Sequence, residues 1–219
     1  MQFNKMEQYW DHYWKSKNIV SRIVDFMRTH YFSKIPIYRI GNLKNKVILE
    51  AGCGSSETLV KMAGKAKKVV GIDISPNSIR MSKKNFEMHK TPKNKYSLVL
   101  GDITKMKFKD NTFDVVFNAG VIEHFDDDKI NNKPVEEMIR VTKKGGKVVI
   151  LVPSVYSLFY VYYLISRIPG LNKMFPGEVS HRFYSFKIMK GQLDELNVKY
   201  NVRLCFRTMF IYLVAEITR

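Results

Sequence analysis

Between Lys46 and Ser154 short apolar runs alternate with longer polar or amphipathic segments. The runs are Val47-Ile48-Leu49, Val69-Val70-Gly71-Ile72, Tyr96-Ser97-Leu98-Val99-Leu100, Phe113-Asp114-Val115-Val116-Phe117 and Val148-Val149-Ile150-Leu151-Val152. They are rich in β-branched residues and nearly continuous, where a strand with one wet face would alternate apolar and polar positions. That pattern predicts parallel strands buried on both faces, with helices in the intervening chain. The predicted architecture is α/β and doubly wound.

The intervening segments agree. Glu57 to Lys65 reads as a helix with Leu59, Val60 and Met62 as its apolar residues. Ser75-Pro76 predicts the next helix start, since Ser suits the N-cap and Pro the first helical position, where its missing N–H costs nothing. Val135 to Val141 predicts a further helix, and Lys144-Gly145-Gly146 reads as its C-terminal stop. Before the repeating region, Lys5 to Ser16 and Ile19 to Phe32 read as amphipathic helices, with Tyr9/Tyr13 and Trp10/Trp14 paired at i,i+4. After it come a helix from Ser185 to Leu196 and two β-like runs, Val202 to Phe206 and Phe210 to Ile217, expected as an antiparallel hairpin on the sheet edge. Residues 1–219 are thus expected to form one domain: an N-terminal helical cap over 1–45, a core over 46–154, and helices with a terminal hairpin over 155–219.

Val148 to Ser166 carries no charge for nineteen positions, close to the length that spans a bilayer. Pro153-Ser154 divides it into a β-type half and a Tyr-rich helical half, so a buried strand followed by an apolar helix is the expectation. Composition adds that 45% apolar content can build a core. The two cysteines, Cys53 and Cys205, are too few for a disulfide scaffold and, with no apolar run at the N-terminus, point to a cytoplasmic location. The net charge of +17 invites a polyanion or membrane partner, yet 27 of the 37 cations are Lys and they are dispersed from Lys5 to Arg219. Nucleic-acid sites cluster cations and favour the Arg fork, so a lysine-rich composition explains the surplus better than a dedicated polyanion site.

The strongest chemical signal is Val47-Ile48-Leu49-Glu50-Ala51-Gly52-Cys53-Gly54-Ser55-Ser56-Glu57, a strand running through a glycine turn into a helix. Such a turn points backbone N–H groups at a ligand lying at the carboxyl edge of the sheet, and Gly52 and Gly54 let the backbone approach it. A tight strand-to-helix turn with no ligand would use the same glycines, so the neighbouring strand ends decide. Asp73 closes the second strand 19 residues after Gly54, placed to accept from both hydroxyls of a ribose. Glu50 would repel a pyrophosphate but suits a ligand with a cationic amino acid portion, and position 57 lacks the third glycine of a dinucleotide fingerprint. Leu100-Gly101-Asp102-Ile103 brings a carboxylate that can accept from an adenine amine. Asn118-Ala119-Gly120 then leads into Val121-Ile122-Glu123-His124-Phe125, completing four strand ends around one crevice.

Through LEAGCGSS, VVGIDISP, LGDI, FDVVFNAGVIEHF and EEMIRVTKKGGKVVILVPS the chain resembles the class I S-adenosylmethionine-dependent methyltransferases. It is most similar to the small-molecule enzymes of the ubiquinone and menaquinone biosynthesis type. The resemblance covers roughly half the chain and implies a Rossmann-like, mostly parallel seven-stranded sheet with an antiparallel C-terminal hairpin. It implies that Glu50, Gly52 and Gly54 surround the methionine portion of S-adenosyl-L-methionine and that Asp73 holds the ribose. Ile74 would lie against adenine, Asp102 would bond its amine with Ile103 alongside, and Asn118 would lie near the methionine end. Cys53 belongs to the same turn as a small side chain and not a nucleophile. Ser56 departs from the pattern, because many members carry a third glycine there.

The implied reaction is methyl transfer to a small acceptor, hydrophobic or aromatic in character, in which alignment and water exclusion do most of the work. A general base is optional; His124 is the first candidate and His181 the second, each competing with a packed or surface role. Glu123, His124 and Asp126-Asp127-Asp128 suggest a metal only weakly, since adjacent carboxylates after a strand usually form a solvated loop and helix start. The acceptor pocket is expected from the flanks, from Tyr9, Trp10, Tyr13, Trp14 and the Tyr156 to Tyr163 stretch. Two other functions compete. An RNA methyltransferase would exploit the charge but lacks an NPPY-like tetrapeptide at Asn118 to Val121. A non-catalytic protein of this fold would use Val155 to Ile168, with Arg167, Lys173 and Arg182, at a membrane surface. Oligomeric state is open.

Overall fold

The computed structural model describes residues 32–125, 128–168, 182–205 and 212–219, with positions 8, 26 and 30. The N-terminal aromatic pairs and His181, Lys173, Asp126 and Asp127 lie outside the described residues. Helix α1 (Lys34–Ile40) leads into β1 (Val47–Ala51), α2 (Glu57–Ala63), β2 (Lys68–Asp73), α3 (Pro76–Met88) and β3 (Tyr96–Leu100). Then follow β4 (Phe113–Ala119), α4 (Asp128–Val141), β5 (Thr142–Pro153), α5 (Leu158–Ser166), α6 (Phe186–Asp194), β6 (Lys199–Leu204) and β7 (Tyr212–Thr218).

The seven strands form one sheet in the order β3-β2-β1-β4-β5-β7-β6. The first five are parallel; β7 pairs antiparallel with both β5 and β6. The order reverses at β1 and β4, and in open α/β sheets ligands bind outside the carboxyl ends of the strands at such a switch. Central strands are buried on both faces as their continuous apolar runs require, whereas edge strand β6 alternates exposed and half-buried positions. One apolar layer joins the sheet to α1, α2 and α3 through Ile35, Leu59 and Phe86. The other joins it to α4 and α6 through Val135, Met138, Met189 and Leu193.

Local chemistry sets the helix ends. Ser75 accepts a hydrogen bond from Ser78 N at 3.2 Å, with Pro76 in the first turn of α3. Ser157 and Ser185 cap α5 and α6 in the same way, from Tyr160 N and Ile188 N. The expected helix stop at Lys144-Gly145-Gly146 is not one. Helix α4 ends at Val141, where Thr142 Oγ1 donates to Met138 O at 2.6 Å, and the glycines lie inside β5. There the β4–β5 register jumps from Phe113↔Thr142 to Val115↔Lys147, and Gly145 takes φ +74° in the bulge. A Cβ at Gly146 would sit 2.9 Å from Asp114 O. The charge-free stretch divides at Pro153 as expected, into β5 and α5. Among the described residues no helix is long and apolar enough to cross a membrane.

Candidate active site

Each residue at the crevice stands at a strand end that the parallel sheet brings to one edge. Gly52 N and Cys53 N both donate to Ile72 O, at 2.8 and 3.0 Å, so the turn after β1 is stitched to the end of β2. Gly54 N donates to Asp73 Oδ2 at 2.8 Å and Ser75 N donates to Oδ1 at 3.0 Å. Asp73 therefore ties the turn after β1 to the turn after β2. A carboxylate offers about four acceptor positions, and the Ser78 hydroxyl and the Ile74 N–H also lie close enough to favour its charged form. Its residue is only 8% exposed. Burial pushes its carboxyl above the ordinary Asp value, against the Ser75 and Gly54 N–H groups that pull it down.

The glycine turn is shaped by its neighbours. Gly52 has φ +80°, and a Cβ there would lie 2.6 Å from Val121 Cγ2. Its missing side chain thus makes room for Val121 in the loop after β4. Cys53 is buried against Gly71, where a Cβ would meet Sγ at 2.7 Å. Burial, with the Asp73 and Glu50 carboxylates close by, pushes the Cys53 thiol up, which suits a packed side chain and not a nucleophile. Ser56, in place of the customary glycine, adopts the left-handed conformation at φ +59°.

A polar stripe on α3 completes the turn. Ser82 Oγ donates to Gly54 O at 2.7 Å and lies 2.8 Å from Ser56 Oγ, and Asn85 Nδ2 donates to Ser55 O at 3.0 Å. The turn is thus held from both sides, its carbonyls by α3 and the N–H groups of Gly52, Cys53 and Gly54 by Ile72 O and Asp73. Gly71, Ser82 and Asn85 do not stand out in the sequence as site residues. Ser78, Ser82 and Asn85 recur at i, i+4 and i+7 on the buried face of α3, a spacing that a solvated helix face would share.

The other strand ends add two acceptors. Asp102 Oδ1 accepts from Thr104 N and Thr104 Oγ1, both at 2.8 Å, which leaves Oδ2 with a Lys105 Nζ at 4.0 Å. Ile103 beside it is buried. Gly101 N donates to Asp73 O at 2.9 Å, so the Asp102 loop is fastened to the same edge. Behind it, Arg140 donates to Met106 O and Phe108 O and pairs with Glu137 and Asp110, pinning the loop between β3 and β4. Asn118 is fully buried at the end of β4; Nδ2 donates to Ala51 O at 2.5 Å. Its Oδ1 has no hydrogen-bond partner among the described residues. Glu50 is buried at the end of β1, Ile74 is half-buried, and His124 is half-buried in the single turn Ile122–His124. Among the described residues no group of three His, Cys, Asp or Glu is arranged to hold a metal.

A family model described as a methyltransferase domain matches residues 42–197. The chain belongs to this methyltransferase family. Demethylmenaquinone methyltransferase of Alkalihalophilus pseudofirmus is 26% identical over 179 residues, covering 78% of this chain and 74% of that protein. Norajmaline N-methyltransferase of Rauvolfia serpentina is 34% identical over 116 residues, 52% of this chain and 38% of that protein. Magnesium protoporphyrin IX methyltransferase of Synechocystis, solved with bound SAH, has TM-score 0.73 at 13% identity, covering 100% of both chains, a likeness of fold. The protein is a class I S-adenosylmethionine-dependent methyltransferase. Its crevice fits that cosubstrate: the Asp73 and Asp102 carboxylates, a left-handed glycine turn, and Asn118 Oδ1, which has no hydrogen-bond partner among the described residues, stand along one sheet edge.

Proposed function

We propose that this methyltransferase modifies a small apolar or aromatic acceptor, with residues 46–154 holding the cosubstrate and the flanks, 1–45 and 155–219, selecting the acceptor. Asp73 would hold the ribose hydroxyls, its carboxylate fixed at the end of β2 by the Gly54 and Ser75 N–H groups. Asp102 would accept from the adenine amine, with Ile74 and Ile103 on the ring. Glu50, the turn at Gly52, Cys53 and Gly54, and Asn118 would receive the methionine end. When bound, S-adenosylmethionine supplies a methyl group already activated on a sulfonium. The chain's task is then to align the acceptor and exclude water. His124 is the residue we assign to take the acceptor proton on a ring nitrogen; His181 is the second candidate.

The observation that carries the acceptor reading is the aromatic wall beside the crevice. Tyr184 N donates to Pro153 O at 2.8 Å, which seats Phe183 and Tyr184 on the carboxyl end of β5. Tyr160 and Tyr163 of α5 both pack on Phe183, with ring centroids 5.0 Å apart. The names of the demethylmenaquinone and norajmaline relatives support a small-molecule acceptor. Cys53 and Cys205, both buried as thiols, support a reducing, cytoplasmic setting.

Methyl transfer from labelled S-adenosylmethionine to a panel of hydroxylated quinones, phenols and short polar amines tests the reading. The quinones and phenols should be methylated and the polar amines should not. His124→Gln should lower kcat about 100-fold, flatten the acidic limb of the pH profile and leave the KM for S-adenosylmethionine unchanged. Methylation confined to the polar amines, or an unchanged pH profile in His124→Gln with His181 intact, would reject the acceptor class or the base respectively.

A further inference from the structure

Helix α5 leans two tyrosines on Phe183 and exposes an aliphatic row. Tyr160 and Tyr163 lean on Phe183, while Leu158 is 67% exposed and Val161 and Leu164 are each 49% exposed. These three residues follow one another at i, i+3 and i+6, so they form a stripe along one side of the helix. Ile168, just beyond the helix, and Tyr156, before its N-cap and with its ring 5.7 Å from that of Phe186, are each 49% exposed. Isolated exposed apolar residues are ordinary on protein surfaces; a contiguous aliphatic row marks an interaction face.

The charges around the stripe select its occupant. Arg167 follows the helix and lies over the Tyr163 ring at 4.9 Å, Arg182 lies over Tyr184 at 5.6 Å, and Lys187 and Lys190 are exposed on α6. Among the described residues from Val148 to Lys190 the charged side chains are Arg167, Arg182, Lys187 and Lys190, all cations. An aliphatic row bordered by tyrosines and cations matches the boundary of an anionic bilayer, where acyl chains accept the row and lipid phosphates accept the cations. Interface tyrosines sit at headgroup depth for the same reason. A protein partner would have to meet both an aliphatic row without polar groups and a one-signed rim.

We propose that α5 is the face by which this methyltransferase docks on an anionic lipid surface. Because α5 begins directly beyond the carboxyl end of β5, docking brings the acceptor side of the crevice to the bilayer, and an apolar acceptor enters from the lipid without crossing water. This second step rests on the acceptor reading above; the docking does not.

Co-sedimentation of the full chain with vesicles of phosphatidylcholine alone and of phosphatidylcholine with phosphatidylglycerol tests it, alongside calorimetry with S-adenosylhomocysteine on the same samples. The wild type should bind the anionic vesicles, and Leu158→Ser/Val161→Ser/Leu164→Ser should bind them at least about tenfold more weakly. The paired change Arg167→Gln/Lys187→Gln should weaken binding and its salt dependence. Unchanged S-adenosylhomocysteine affinity in these variants shows that they are folded and that the cosubstrate site is separate from docking. Absence of wild-type binding to anionic vesicles, or equal binding by the triple variant, would overturn the proposal. So would a stripe whose loss only converts an oligomer to a monomer, which would assign it to self-association.

Discussion

At Gly52 two independent constraints meet, since φ is +80° and a Cβ would press into Val121. An L-residue in that conformation costs about 1–2 kcal/mol, and the contact adds a further cost of similar size. Gly52→Ala should therefore lower unfolding free energy by about 2–4 kcal/mol in urea titration. Val121→Ala in the same chain should recover the steric share and leave the conformational one. Ser56 shows the opposite balance. Its left-handed φ of +59° carries a cost of about 1 kcal/mol, and its hydrogen bond to buried Ser82 offsets about as much. That is why a serine stands where the family usually has glycine.

Among the elements, α3 does more than cover the sheet, because its Ser82 and Asn85 hold the carbonyls of Gly54 and Ser55. Ser82→Ala leaves Gly54 O and Ser56 Oγ short of a partner inside the protein. Stability should fall by about 1–3 kcal/mol, and affinity for S-adenosylhomocysteine by calorimetry should fall with it, since the turn is freed to rotate. Loss of stability with unchanged affinity would mean the stripe only packs. The strands were legible because parallel, doubly covered strands must be written in continuous apolar residues, and Ser75-Pro76 was legible because a cap is a local device. The stripe on α3 was not, since a polar residue at a helical spacing gains meaning only once the glycine turn is folded against it. Gly145-Gly146 was misread for a related reason: lysine and glycine suit a helix end and a bulge equally, and the non-local pairing with β4 decides. Gly71 looks like an ordinary strand residue until Cys53 is placed against it.

For the whole molecule, the carboxyl edge of the sheet carries the polar groups, and Asp73 is a carboxylate whose charge must be maintained against burial. Because folding raises its pKa, its contribution to stability is fully present below the unfolded value and is lost as pH rises through the folded one. A ribose needs the ionised acceptor, so ligand affinity runs the other way and should decline on acidification at a pH above the ordinary Asp value of 3.8. The two effects separate in one measurement. A ligand at a hundred times its Kd stabilises the folded chain by about 2.7 kcal/mol, which for a domain of this size is about 5–10 °C in Tm. S-adenosylhomocysteine should produce that shift at neutral pH in the wild type and in Leu158→Ser/Val161→Ser/Leu164→Ser. The shift should shrink as pH falls through the Asp73 titration and be lost at every pH in Asp73→Ala. A full shift in Asp73→Ala would remove Asp73 from the ribose site, and a pH-independent wild-type shift would mean that its ionisation does not matter there.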